Sequence, residues 1–303
     1  MPTDTALPND LLRPFQLERS QLRGRFVRLG DTVDYVLRAH DYPAPVSDLL
    51  GELLLLAGGL AGGLKFDGSF SLQIRGDGPV GLMVADCTNN GRMRGYASFD
   101  AERVAATEAA EPARLVGKGI LALTVDQAAS GGETYQGIVE LDGRSLSDSM
   151  LAYFRQSEQI PTGIRTALGR DPLTGAWRAG AIILQATPGS GPEAGDVAED
   201  DWRRAMVLLQ TASEAELLDL SPDDLLWRLF HEEGVRVFEP LGLQAGCSCD
   251  EERVVNVLRS FDAGETEEMR LPDGSISVTC QFCSRSYHFE PKRLATLLGD
   301  RIH

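Results

Sequence analysis

The chain has 303 residues, 43% of them hydrophobic and 24% charged. That composition suits a soluble globular protein and excludes a disordered chain, a collagen-like repeat and a disulfide-dense mini-protein. Lys and Arg number 29 against 45 Asp and Glu, a formal net charge of -16, and so acidic a surface repels phosphate backbones and anionic lipid; neither nucleic acid nor membrane is an expected partner.

The first residues, MPTDTALPNDLLRPF, lack the basic segment, apolar core and small-residue cleavage site of a secretory signal, and a cytoplasmic protein is expected. The longest apolar run, Leu49 to Leu64, is interrupted by Glu52 and by glycines, and it falls short of the ~20 residues that a bilayer crossing needs. Gly58/Gly62 and Gly59/Gly63 mimic the G-x-x-x-G motif of membrane helices, yet at this length they read as close packing around a buried helix over Pro45 to Leu64. Short apolar strands follow in FSLQIRGDGPVGLMVAD (70–86), KGILALTVDQ (118–127), GGETYQGIVEL (131–141) and GAIILQA (180–186). They are joined by Gly- and Asp-rich turns, the signal of antiparallel hairpins, with a further helix over Leu146 to Gln156. Residues 1–190 therefore read as an α+β core, a mainly antiparallel sheet packed by helices.

TPGSGPEAGD (187–196) breaks the pattern and opens a helical linker, residues 191–237. Trp202, Met206 and Leu209 share one helix face. Ser213 with Glu216 forms a capping box, and Ser221-Pro222-Asp223-Asp224 starts a helix over LLWRLF. Glu193 to Asp224 carries ten acids and two arginines, half the excess negative charge of the molecule. A segment with an apolar inner face and a self-repelling outer one docks conditionally.

The last region, 238–303, holds Cys247, Cys249, Cys280 and Cys283. Asp250 caps a helix over EERVVNVLRSF, and Pro291 opens another over KRLATLL. Asp273-Gly274 turns the chain into ISVTC, and SYHF follows the C-x-x-C, which places Cys280 and Cys283 on a knuckle between two short strands. Two cysteine pairs separated by a loop present four thiolates to one tetrahedral Zn²⁺. The first pair has one intervening residue instead of the usual two to four. Thiols so close either share a metal or oxidise to a disulfide, so the site is a structural clamp, a redox switch or both. A region this small builds only a modest core and depends on its metal. Cys87 stands alone at the end of an apolar run and reads as a small buried hydrophobe.

Other patterns do not assemble a catalytic centre. Gly76 to Gly81 matches G-x-G-x-x-G, but a strand follows it, so the glycines serve a hairpin. His231-Glu232-Glu233 lacks the second histidine of a zincin helix. Tyr153 to Gln159 has a carboxylate and a hydroxyl without a histidine. His40, His231, His288 and His303 are scattered; His288 is the one near enough in sequence to replace a thiolate. No enzyme activity is expected.

Taken together, HDYPAPV (40–46), LKFDGSFSLQIRGDGPVGLMV (64–84), NNGRMRGYA (89–97), YQGIVEL (135–141), YFRQSEQIPT (153–162), LLWRLFHEEGVRVFEP (225–240), CSCDEERV (247–254) and DGSISVTCQFCSRSYHF (273–289) resemble the 33-kDa redox-regulated heat-shock chaperone family over nearly the whole chain. The Gly/Ala-rich segments 57–63 and 101–113 depart from it in composition and length. The resemblance implies one zinc per reduced chain on Cys247, Cys249, Cys280 and Cys283. On oxidation by peroxide with heat, or by hypochlorous acid, it implies disulfides Cys247–Cys249 and Cys280–Cys283, zinc release, and unfolding of the thiol domain and linker. It further implies an ATP-independent holdase for unfolding client proteins, a homodimer when active, with hand-over to the 70-kDa heat-shock system after reduction. Two other classes compete: a nucleic-acid-binding zinc ribbon, disfavoured by ten acids against seven bases over Leu241 to His303, and a thiol oxidoreductase, whose C-x-x-C belongs at a helix N-terminus and not between strands.

Overall fold

In the computed structural model the described residues are 9–107, 112–128, 131–141, 145–192 and 195–298. Residues 1–8, 108–111 of the Gly/Ala-rich stretch, Glu193 and His303 lie outside them. The chain divides into two units, Met1–Ala245 and Gly246–His303.

The first unit opens with β1 (Leu11–Leu17), β2 (Leu22–Leu29), α1 (Asp31–Arg38) and α2 (Ala44–Ala61). It continues through β3 (Ser69–Gly76), β4 (Val80–Thr88), β5 (Arg92–Phe99), two short helices α3 (Ala101–Ala105) and α4 (Pro112–Val116), β6 (Gly119–Asp126), β7 (Tyr135–Leu141) and α5 (Leu146–Tyr153). One turn of π-helix, Phe154–Glu158, extends α5 before β8 (Thr162–Arg170) and β9 (Trp177–Gln185). Then come α6 (Asp196–Gln210), α7 (Glu214–Asp219), α8 (Pro222–Phe230) and the short strands β10 (Val235–Val237), β11 (Leu241–Gly242) and β12 (Gln244–Ala245).

The antiparallel strands divide between two sheets. One runs β10-β1-β2-β9-β8, with β11 beside β1; the other runs β12-β5-β4-β3-β6-β7. All pairings in both are antiparallel except β12 with β5. The G-x-G-x-x-G glycines lie where β3 turns into β4, as a hairpin requires.

Helix α2 lies between the sheets, packed against β2, β8 and β9 on one side and β3, β4 and β5 on the other. A helix so largely enclosed keeps little polar face, which is why its sequence is mostly apolar, with Asp48 exposed near its start. Its glycines set the spacing. A Cβ on Gly59 would meet Ile183 Cδ1 at 2.6 Å, towards the first sheet, and one on Gly58 would meet the Met93 methyl at 3.1 Å, towards the second. Glu52, the inner of the two acids in this helix, accepts hydrogen bonds from the backbone N–H (3.1 Å) and hydroxyl (2.6 Å) of Ser147, and burial holds its carboxyl above the usual range.

The first sheet is buried on both faces. Val27, Ala181 and Ile183 join the core around α2, while Phe26, Ile182 and Leu184 point the other way and join a second core with Phe15, Leu209 and Phe230; the alternation is the period-two geometry of a strand. The second core is roofed by α6, α7 and α8. Phe15 and Phe230 stack with centroids 6.1 Å apart, and Gly180 lets the backbone of Leu217 in α7 approach β9. Caps form as the sequence indicates: Ser213 and Glu216 make the reciprocal box, and Ser221 accepts from Asp224 N–H ahead of Pro222.

The acids of these helices do more than repel one another. Arg13 of β1 pairs with Asp223 at 2.9 Å, and Arg178 of β9 pairs with Asp219 at 2.8 Å. Arg28 of β2 and Arg165 of β8 donate to the carbonyls of Leu217 (2.8 Å) and Ala212 (3.1 Å). Arg204 of α6 forks onto Glu233, whose side chain is 1% exposed. The roof is thus held by an apolar face and a fringe of arginines.

The second unit contains α9 (Glu251–Leu258), α10 (Ala263–Glu268), the hairpin β13 (Ile276–Thr279) and β14 (Ser286–Phe289), and α11 (Pro291–Leu298). Asp250 caps α9, accepting from Arg253 N–H at 2.7 Å. The core consists of Val254, Val255, Leu258, Ile276, Phe289 and Leu294.

Phe230→Ala removes a fully buried ring from the roof of the first sheet. The expected cost is about 3–5 kcal/mol, read as a lowered denaturant midpoint; a midpoint unchanged from the parent protein would show that the roof does not contribute to folding stability.

Candidate metal centre

The second cysteine pair sits on a knuckle made by the hairpin. Gly274 at φ +77° turns the chain into β13, and Asp273 Oδ1 accepts from both the N–H (2.9 Å) and hydroxyl (2.5 Å) of Ser275. At the far end Cys280 N–H donates to Arg285 C=O and Ser284 N–H donates to Cys280 C=O, each at 2.9 Å. This tight loop, with Ser284 in the left-handed region, holds Cys280 and Cys283 on one side. Cys247 and Cys249 come from the irregular segment that α9 closes through Asp250.

All four half-buried thiols converge. Each Sγ lies within 4.8 Å of the other three, with Cys247–Cys280 at 3.6 Å and Cys249–Cys283 at 3.3 Å. A tetrahedral Zn²⁺ with Zn–S near ~2.3 Å separates its sulfurs by about 3.8 Å, so the cluster fits that ion with small adjustments. His288 lies exposed on β14 and is not a member of this group. The Tyr287 hydroxyl donates to Cys249 Sγ at 3.3 Å. Sequence reasoning did not single out Tyr287, because nothing in SYHF tells which residue turns towards the sulfurs.

Crowding makes the thiols unequal. Burial pushes Cys249 up, but hydrogen bonds from Tyr287 and the neighbouring thiols outweigh it and bring this group down to about 7. Burial raises Cys247 and, with hydrogen bonding to Cys249, pushes Cys283 up to about 12. Negative charge on one sulfur is therefore held at the expense of others. A divalent cation is what allows all four to ionise together.

The remaining motifs lie elsewhere. His231 to Glu233 form a single 3-10 turn, and Glu233 is committed to Arg204. His40 packs against Tyr42 and Tyr96. Cys87 is 1% exposed, its thiol donates to the carbonyl of Thr88, and burial pushes it up to about 12. Such a thiol is inert at neutral pH. In native protein treated with chelator and reductant, iodoacetamide should label Cys247, Cys249, Cys280 and Cys283 while Cys87 reacts only after denaturation. Rapid native labelling of Cys87 would contradict this reading. Cys280→Ser leaves three thiolates, and zinc transfer to a chromophoric chelator should become at least tenfold easier, on the order of the loss that a disrupted ligand set produces; unchanged retention would exclude four-thiolate binding.

The model of the Hsp33 protein family matches residues 10–290 of this chain. The 33 kDa chaperonin of Caulobacter vibrioides is 43% identical over 296 residues, covering 95% of this chain and 97% of that protein. The 33 kDa chaperonin of Azotobacter vinelandii is 39% identical over 291 residues, covering 96% and 95%. A crystal structure of the 33 kDa chaperonin (Hsp33) from Thermotoga maritima shares the fold with a TM-score of 0.79, at 23% identity and covering 96% of this chain and 98% of that one.

Proposed function

This chain belongs to the Hsp33 family of chaperones, and we propose that it is an oxidation-activated, ATP-independent holdase that acts by binding, not by catalysis. The observation that carries the reading is the convergence of four thiols in a unit whose core has six buried apolar side chains among the described residues. Structural Zn²⁺ supplies ~10–16 kcal/mol of apparent binding free energy, against a whole-domain stability of ~5–15 kcal/mol. At those magnitudes the reduced, metal-bound unit is folded and the metal-free unit is not.

Zn²⁺, one per chain, would be held by Cys247, Cys249, Cys280 and Cys283, where it supplies cross-linking and charge neutralisation. Oxidation consumes the same sulfurs. Each disulfide, Cys247–Cys249 and Cys280–Cys283, takes two electrons from a pair of thiols to peroxide, which leaves as two waters. A disulfide sulfur carries no charge to bind the ion, so the metal is released and residues 238–303 lose their clamp. In this reading 191–237 is the conditional linker over the core of 1–190. Its release bares the face formed by Phe15, Phe26, Ile182 and Leu184, an apolar patch for unfolding client proteins. The active form is a homodimer in the cytoplasm that passes clients to the 70-kDa heat-shock system after reduction, and it recruits neither nucleic acid nor membrane.

Peroxide with mild heat is expected to release one zinc per chain and to switch on suppression of aggregation of a denatured client. Equal holding by the reduced, zinc-loaded protein would sink the switch. Peptide mapping of the oxidised chain is expected to return the two neighbouring disulfides. Cys247–Cys280 and Cys249–Cys283 crosslinks, whose sulfurs are already close, would instead show that oxidation locks the unit shut.

A further inference from the structure

The motif YFRQSEQIPT is absorbed by neither the metal centre nor the linker. It builds the wall of a cavity of about 180 Å³ inside the first unit. Here α5 gives way to the single π-helical turn, and Gln159 follows in the left-handed region at φ 54°. Both irregularities are characteristic of sites where a backbone is shaped for something other than regular packing.

Across from this wall stands Arg25 of β2. Its guanidinium reaches the cavity over Gly63, where a Cβ would overlap it. Arg25 donates one hydrogen bond, to the side-chain carbonyl of Gln185, and among the described residues no carboxylate pairs with it. Burial without a counter-charge pulls this group down to about 10. A guanidinium has five donors in a rigid fork, and among the described hydrogen bonds Arg25 uses one of them. Glu158 lines the same cavity without pairing with Arg25. Its Oε1 instead accepts from the hydroxyls of Tyr135 (2.7 Å) and Tyr153 (2.5 Å), and burial and hydrogen bonding push the Tyr153 hydroxyl's pKa up. The other walls are apolar: Leu60, Phe70, Leu123, Phe154 and Ile160.

We propose that this cavity is a binding site for a small monocarboxylate with an apolar body, its carboxylate on the Arg25 fork and its hydrocarbon among Leu60, Phe70, Leu123 and Phe154. The fork matches a carboxylate bidentately. The volume suits a short chain or a single ring, since an apolar cavity of ~150 Å³ admits benzene. Phosphate fits the charge but not the walls. The site is independent of the thiol chemistry.

The test is calorimetric titration of the reduced, zinc-loaded protein with hexanoate, phenylacetate, hexanamide and inorganic phosphate. Hexanoate or phenylacetate is expected to bind saturably, with hexanamide and phosphate at least tenfold weaker. Arg25→Gln, its fold checked by circular dichroism, should abolish the binding. Leu123→Trp keeps Arg25 and fills the cavity, so binding should be lost there too, and this variant decides the matter where Arg25→Gln does not fold. Failure of both acids to bind, equal binding of hexanamide or phosphate, or full binding by either folded variant would overturn the assignment.

Discussion

Four thiols whose sulfurs lie within 4.8 Å of one another cannot all be thiolates without a cation between them, and the second unit is organised around that electrostatic fact. Its hairpin and its α9 cap deliver the cysteines in pairs beside a small apolar core. The pairing also fixes the failure mode. A ligand set of four imidazoles or carboxylates would lose its metal to acid; a set of four thiolates loses it to acid and to any oxidant that makes disulfides. Thiolates are thus both the ligands that a metal needs and the groups that an oxidant consumes.

The first unit meets a different constraint. One sheet lies against α2 on one face and against α6, α7 and α8 on the other. The inner face is sealed: α2 is enclosed between two sheets and its glycines leave no room for change. The outer face is apolar at its centre and fringed by Arg13, Arg28, Arg165 and Arg178, which meet carboxylates or helix-end carbonyls of the roof. The two faces differ in how replaceable their contacts are, since water can take over the fringe but not the seal.

Much of this was legible in the sequence because it rests on local rules. The caps at Ser213, Ser221 and Asp250, the turn at Asp273-Gly274 that leads into β13 and the burial of the apolar run from Leu49 as far as Ala61 follow from residue chemistry within a few positions. The four thiols were legible because metal spacing is a local signal too. The strands β1, β2, β5 and β8 and the helix α1 were not. LRGRFVRL and TGIRTALGR carry arginines at positions that alternation would reserve for apolar side chains, and only the roof above shows what Arg28 and Arg165 meet. The division of the strands into two sheets was equally hidden, because it depends on a helix lying between them and not on any strand's own pattern. Tyr287 and Arg25 share this difficulty: their roles come from neighbours distant in sequence, Cys249 and Gln185.

The arginine fringe also bears on how the roof is held. A wholly apolar joint would hold α6, α7 and α8 by area alone, at about 25 cal/mol per Å², and could not be exposed without a large cost. Replacing its margin by hydrogen bonds and partly exposed ion pairs, each worth roughly 0.5–1.5 and 0–1 kcal/mol net, keeps the register and contributes little to the energy of separation. Arg204 and the buried Glu233 both lie within 191–237, so that pair joins parts of the roof to one another, while the ion pairs to the sheet run through the exposed Asp219 and Asp223. The acidity of 191–237, which by itself reads as self-repulsion, becomes in this setting a set of weak, specific tethers to a basic strand margin.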